Sequence, residues 1–129
     1  MQRKILIADD EAHLRTLIRQ VLEDLEEEGV EILTASNGDE ALEIIQAEKP
    51  DLVFLDVMMP KKSGFDVCQA VKSSQDTKSI YIILLTAKGQ EFDRRRGIEV
   101  GADVFMTKPF DPDALLEKAR NVLSSLKPT

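Results

Sequence analysis

Apolar residues along this chain alternate between short unbroken runs and longer stretches spaced by threes and fours. Ile5-Leu6-Ile7-Ala8 is unbroken, as expected of a strand covered on both faces. Leu14, Leu17, Ile18, Val21, Leu22 and Leu25 then mark one face of a helix. Glu26-Glu27-Glu28 ends it in solvent, and Gly29 suits the residue after its cap. Glu31 to Ala35 reads as a second strand. Asn37-Gly38 opens a second helix carrying Ala41, Leu42, Ile44 and Ile45, stopped at Lys49-Pro50. Leu52-Val53-Phe54-Leu55 is a third strand running straight into Asp56, and after Pro60 and Gly64 a shorter helix carries Phe65, Cys68 and Val71. Ile80 to Leu85 is the fourth strand, ending at Thr86. The helix after it is weak, with only Phe92, Ile98 and Val100 as large apolar residues and Arg94-Arg95-Arg96 in its middle. Val104-Phe105-Met106 makes a fifth strand, ending at Thr107-Lys108-Pro109. Asp111 as N-cap and Pro112 at the first helical position open the last helix, which buries Leu115, Leu116, Ala119, Val122, Leu123 and Leu126.

Strict alternation of apolar strands and helices implies a parallel sheet with helices on both faces. No linker, repeat or low-complexity tract interrupts it, so residues 1–129 are read as one domain. The common order for five such strands is 2-1-3-4-5, with the switch point between strands one and three.

Composition narrows the class further. The chain is 43% hydrophobic and 32% charged, ordinary for a water-soluble domain. Its formal net charge of −7 argues against a sequence-independent grip on nucleic acid. Trp is absent and Tyr81 is the only Tyr, so the core must be mainly aliphatic. The lone Cys68, at helical spacing from Phe65 and Val71, reads as a small core residue and not a reactive thiol. The apolar run after Arg3-Lys4 breaks at Asp9-Asp10-Glu11, too early for a signal peptide. Nothing approaches the roughly 18–20 apolar residues of a membrane span, so a cytoplasmic location is expected.

In open parallel sheets, ligands bind beyond the carboxyl ends of the strands, near the switch point. Strand one is followed by Asp9-Asp10-Glu11, strand three by Asp56, strand four by Thr86 and strand five by Lys108. Asp51 and Asp103 precede their strands and belong at the opposite edge. Singly, each has a plain role: a helix cap for Asp9 or Asp10, a β-branched strand residue for Thr86, a solvated charge for Lys108. Their coincidence at one edge does not. Two charges ~4 Å apart repel by about 4 kcal/mol at an effective dielectric of ~20, so clustered carboxylates must protonate, spread or bind a cation. Oxygen ligands with room for water suit Mg²⁺ or Mn²⁺. A metal reverses the sign of the site and makes an incoming phosphoryl group acceptable. Lys108 would neutralise another of its oxygens and Thr86 would donate a hydrogen bond. One carboxylate is then the nucleophile, and Asp56, on the central strand, is the best placed.

Ile5-Leu6-Ile7-Ala8-Asp9-Asp10-Glu11, Leu55-Asp56-Val57-Met58-Met59-Pro60, Gly64, Leu85-Thr86-Ala87 and Lys108-Pro109-Phe110 together resemble the receiver domain of two-component response regulators, chemotaxis regulators among them. The resemblance spans essentially the whole chain and implies the flavodoxin-like (βα)5 architecture. It implies that Asp10, Asp56 and the Met58 backbone carbonyl bind the metal, that Asp9 assists through water, and that Asp56 is phosphorylated. It also implies a phosphohistidine donor, on a histidine kinase or a histidine phosphotransfer protein. His13, the only His, is read as a surface residue and not a donor. Thr86 and Phe105 would couple phosphorylation to the surface formed by the fourth helix, fifth strand and fifth helix, where a downstream protein would bind. The Lys108–Pro109 bond would be cis. Met58 and Lys88 would flank the path of the water that removes the phosphoryl group. Arg94-Arg95-Arg96 is read as a solvated run before a partner contact. No turnover of an outside substrate is expected, beyond self-phosphotransfer and slow self-dephosphorylation.

Other readings differ in their demands. A flavin mononucleotide electron carrier of this architecture would need a phosphate-binding loop after strand one, where Asp9-Asp10-Glu11 repels phosphate. A phosphohydrolase with an Asp nucleophile would want it after strand one, under a cap for which there is no room. A degenerate receiver acting only as an interaction module would not keep the acidic cluster. No DNA-binding or enzymatic module is expected within these residues, and the kinase and the output are not legible.

Overall fold

The computed structural model describes residues 2–87 and 91–126. Five strands, β1 (Lys4–Ala8), β2 (Glu31–Ala35), β3 (Leu52–Asp56), β4 (Tyr81–Ala87) and β5 (Val104–Lys108), pair in parallel in the order β2-β1-β3-β4-β5. The helices are α1 (Ala12–Val21), α2 (Glu23–Glu27), α3 (Gly38–Glu48), α4 (Gly64–Lys72), α5 (Glu91–Glu99) and α6 (Pro112–Ser124). This is the doubly wound α/β architecture expected from the alternation of elements. The first expected helix is in two parts that break at Leu22, so the expected fourth and fifth helices are α5 and α6.

Strand residues alternate between two cores, as the period of two requires. Leu6, Val53, Leu55, Ile82 and Leu84 face α3, α4 and α5, where Ala41, Ile45, Val67, Cys68 and Val71 meet them. Ile5, Ile7, Leu52, Phe54, Ile83 and Leu85 face the other way, onto Ile18, Leu22, Leu25, Leu115, Ala119 and Val122. All five residues of β3 are buried, which is why its sequence is unbroken and apolar up to the aspartate. Cys68 is fully buried, and burial pushes its thiol up to about 11, in keeping with a core role.

Local chemistry sets the boundaries. Beyond α2 the Val30 amide donates to the Leu25 carbonyl and the Gly29 amide to that of Glu26, closing the helix. Asn37 caps α3 through the Glu40 amide, Ser63 and Asp66 form a reciprocal capping box on α4, and Asp111 caps α6 ahead of Pro112. Two expected core positions differ. Leu17 is 42% exposed and Ile98 65% exposed, because each lies on the outer side of a helix whose buried stripe is narrow. The side chains of Phe92 and Arg94, and all of Lys88, lie outside the described residues.

Candidate functional site

Each strand of the sheet delivers its last residues to one edge. β1 ends at Ala8, and its parallel pairing with β3 brings the next residue, Asp9, beside Asp56. Asp56 pairs with Leu85 on β4, so Thr86 stands one step further out. Thr86 in turn pairs with Thr107, and Lys108 follows it. Carboxylate oxygens of Asp9, Asp10 and Asp56 lie within 4.8 Å of one another. The Lys108 ammonium donates to Asp56 Oδ1 at 3.1 Å and stands 3.7 Å from Asp9 Oδ2. Asp9 is fully buried, Asp56 2% exposed and Thr86 5% exposed, whereas Asp10 is exposed.

Burial, and then the charge of Asp9, pushes the Asp56 carboxyl up to about 6, against the pull of Lys108. Burial also raises the Asp9 carboxyl, against its bond from the Glu11 amide and the charge of Lys108. Burial alone would lower the Lys108 ammonium. Its bond to Asp56, with the charges of Asp56, Asp9 and Glu11, outweighs that and holds it above its ordinary value. One ammonium thus serves two buried carboxylates, and a third lies at the rim.

The helix-cap explanation for the acidic pair does not hold. Glu11 occupies the N-cap of α1 with no side-chain bond, and Asp9 Oδ1 accepts from the Glu11 amide at 2.9 Å. Asp9 Oδ2 is buried without a hydrogen-bond partner among the described residues. A buried carboxylate oxygen in that state is costly unless a cation or ordered water meets it. An all-oxygen donor set with one open rim fits a hard divalent cation. The Met58 amide donates to Asp56 Oδ1 at 3.4 Å, while the Met58 side chain is 75% exposed.

A sequence model described as the response regulator receiver domain matches residues 5–120. The chain belongs to that family. The receiver domain is 44% identical over 123 residues to the alkaline phosphatase synthesis transcriptional regulatory protein PhoP of Bacillus subtilis, covering 95% of this chain and 49% of that protein. It is 47% identical to the probable transcriptional regulator ycf27 of Porphyra purpurea, covering 95% of this chain and 48% of that protein. It therefore spans about half the length of the curated relatives it matches. Among solved structures, the chemotaxis response regulator CheY4 of Vibrio cholerae superposes with a TM-score of 0.83 at 33% identity, covering 95% of this chain and 99% of that one. The signal receiver domain of a histidine kinase from Syntrophus aciditrophicus gives 0.87 at 34%, covering 98% and 94%.

Other expected positions in the receiver domain are also located. The Lys108–Pro109 bond is cis. Phe105 is half-buried, with its ring over Gly97 of α5 and against the core. His13 is exposed, 3.3 Å from Glu11. Arg95 and Arg96 are exposed, and the Arg96 guanidinium sits 5.8 Å from the centre of the Phe65 ring. The pattern of strand ends could not reveal Arg15, whose Nη1 donates to the Asp9 carbonyl at 2.6 Å and ties α1 to the acidic turn. Its only signal is a basic residue one turn into the helix that follows the acidic pair.

Proposed function

We propose that Asp56 accepts a phosphoryl group from the phosphohistidine of a histidine kinase or histidine phosphotransfer protein. The N–P bond of the donor breaks as an Asp56 Oδ–P bond forms, and the donor imidazole, protonated on its other ring nitrogen, leaves as neutral histidine. The observation that carries this reading is the set of three carboxylates within 4.8 Å, with one ammonium between two of them and a buried oxygen of Asp9 that accepts no hydrogen bond among the described residues. Asp9, Asp10, Asp56 and the Met58 carbonyl would hold Mg²⁺ or, equally in kind, Mn²⁺, which supplies neutralisation of charge on the phosphoryl oxygens. Lys108, already bonded to Asp56, is placed to pair with a further oxygen, and the Thr86 hydroxyl to donate to another. Such positioning and electrostatics account for most of what phosphoryl transfer requires.

The donor has room to approach. Beside Lys108 an apolar groove of about 360 Å³ runs between Leu14 and Leu17 of α1 and the segment Pro109–Pro112, which gives the exposure of Leu17 a use. The signal leaves through α5, β5 and α6: Thr86 moving toward the phosphoryl group frees space behind it, and the Phe105 ring, which lies over Gly97, packs inward. Of the α5 residues whose burial is described, only Gly97 is buried, which suits this helix to shift. A protein target binds that face. No outside substrate is turned over, and the domain works in the cytoplasm. Among the described residues no helix is long and apolar enough to cross a membrane.

The test is intact mass after incubation with acetyl phosphate. One phosphoryl adduct is expected with Mg²⁺ or Mn²⁺, none in chelator, and none for Asp56→Asn. Full labelling of that variant would overturn the assignment.

A further inference from the structure

The Met58 carbonyl is carried by a loop, residues 57–63, that leaves the sheet where β3 ends. Near the sheet it is well tied. The Val57 amide donates to the Leu85 carbonyl at 3.1 Å, and the Gly64 amide donates back to Val57 at 2.9 Å. Further out it turns sharply. The Lys62 amide donates to the Pro60 carbonyl at 2.9 Å across a single residue, Lys61, whose φ is 74°. A three-residue turn with positive φ at a non-glycine residue is strained, and it persists only where its surroundings hold it.

The first turn of α3 holds it. The Gly38 amide donates to the same Pro60 carbonyl at 3.2 Å. A Cβ at Gly38 would fall on the Lys62 carbonyl oxygen and within 2.6 Å of its carbonyl carbon. Those are backbone atoms, so they cannot step aside as the end of a side chain can. Gly38 is buried, whereas Pro60, Lys61 and Lys62 are exposed, so α3 bears on the inner side of the turn alone.

We propose that Gly38 is a positioning residue for the phosphoacceptor site: its missing side chain lets α3 hold the 60–62 turn and so fixes where the loop presents the Met58 carbonyl. The proposal rests on the reading of Asp56 and Met58 given above. The sign of one substitution separates it from a purely local role. Alanine is the better helix former, so Gly38→Ala should stabilise the protein if Gly38 matters only to α3. If the contact governs, the same change displaces the turn and with it the carbonyl.

The test uses the full chain, with Mg²⁺ affinity read from amide shifts of residues 56–64 and the melting midpoint read in chelator. Gly38→Ala is expected to weaken Mg²⁺ binding five-fold or more, to shift those amides without metal, and to lower the midpoint. Gly29→Ala, at a positive-φ position on the opposite edge, should lower the midpoint and leave Mg²⁺ affinity unchanged. Should Gly38→Ala alone fold poorly, adding Lys61→Gly relaxes the turn; folding should recover while Mg²⁺ affinity stays low. Unchanged affinity in Gly38→Ala, or in the double variant, would overturn the proposal. Failure of the unaltered protein to bind Mg²⁺ would instead overturn the functional reading beneath it.

Discussion

The two edges of the sheet carry the same residue type to opposite ends. At the amino edge, Asp51 Oδ2 accepts the Lys4 amide at 2.9 Å, with Arg3 3.8 Å from its other oxygen. Asp103 Oδ2 accepts the Ile82 amide at 2.8 Å and the Lys72 ammonium at 2.9 Å. The same ammonium also reaches the Ile80 carbonyl at 2.7 Å, so α4 is pinned to the start of β4. At the carboxyl edge, two buried carboxylates share Lys108 with a third at the rim, and Asp9 Oδ2 has no hydrogen bond among the described residues. Aspartates whose bonds are made locally are fastenings. Those crowded together, with a buried oxygen of Asp9 left without a hydrogen bond among the described residues, make a donor set that suits a cation.

Removing a fastening should cost most. Asp103→Ala leaves the amide of fully buried Ile82 without its acceptor and takes the carboxylate from the Lys72 ammonium, which keeps only the Ile80 and Lys78 carbonyls, a loss of about 2 kcal/mol. A melting midpoint lower by roughly 6–10 °C is expected, with Mg²⁺ stabilisation intact. A mild effect, or loss of Mg²⁺ binding, would break the contrast between the edges.

At the other edge the sign should reverse. Asp10→Ala removes one of the clustered charges, so the metal-free midpoint should rise by a few degrees while the Mg²⁺-dependent gain disappears. A lower metal-free midpoint would make Asp10 part of the scaffold.

The positions in these tests were largely legible from pattern alone. Strand ends are marked by the switch from apolar to charged residues, and a parallel sheet places all such ends together, so Asp9, Asp56, Thr86 and Lys108 could be found without coordinates. Asp51 and Asp103 were separable from them because each precedes its strand. Less visible were residues that act on the backbone. Arg15 grips a carbonyl and Gly38 matters through an absent side chain, and neither leaves a charge pattern of its own. Leu17 follows the helical period but lies outside the buried stripe, because periodicity gives a face and not its width.

A pH series sharpens the contrast further. The Asp56 carboxyl sits near 6 in the fold and near 4 when unfolded, so the folded state binds the proton more tightly. Stability from that proton is full below about pH 4 and is lost as pH rises through about 6. The metal-free midpoint should therefore rise between pH 7 and pH 5, and Asp56→Asn should flatten that rise. Mg²⁺ affinity should fall across the same window, as protons compete for the carboxylate.

The smallest effect concerns lifetime. The exposed Met58 side chain beside Asp56 offers only a weak acceptor and apolar bulk to an in-line water. Met58→Asn should speed loss of the phosphoryl group several-fold, followed by intact mass. Lys88, the other expected flanking residue, lies outside the described residues; Lys88→Glu should act in the same direction.

The most direct measurement locates the acyl phosphate itself. Borohydride reduces an acyl phosphate to the alcohol, converting a phosphorylated aspartate to homoserine, which peptide mass mapping places by residue. After treatment with acetyl phosphate and Mg²⁺, homoserine is expected at Asp56 alone, and nowhere when chelator replaces the metal. Homoserine at Asp9 or Asp10, or an unmodified Asp56 in the presence of Mg²⁺, would contradict the account.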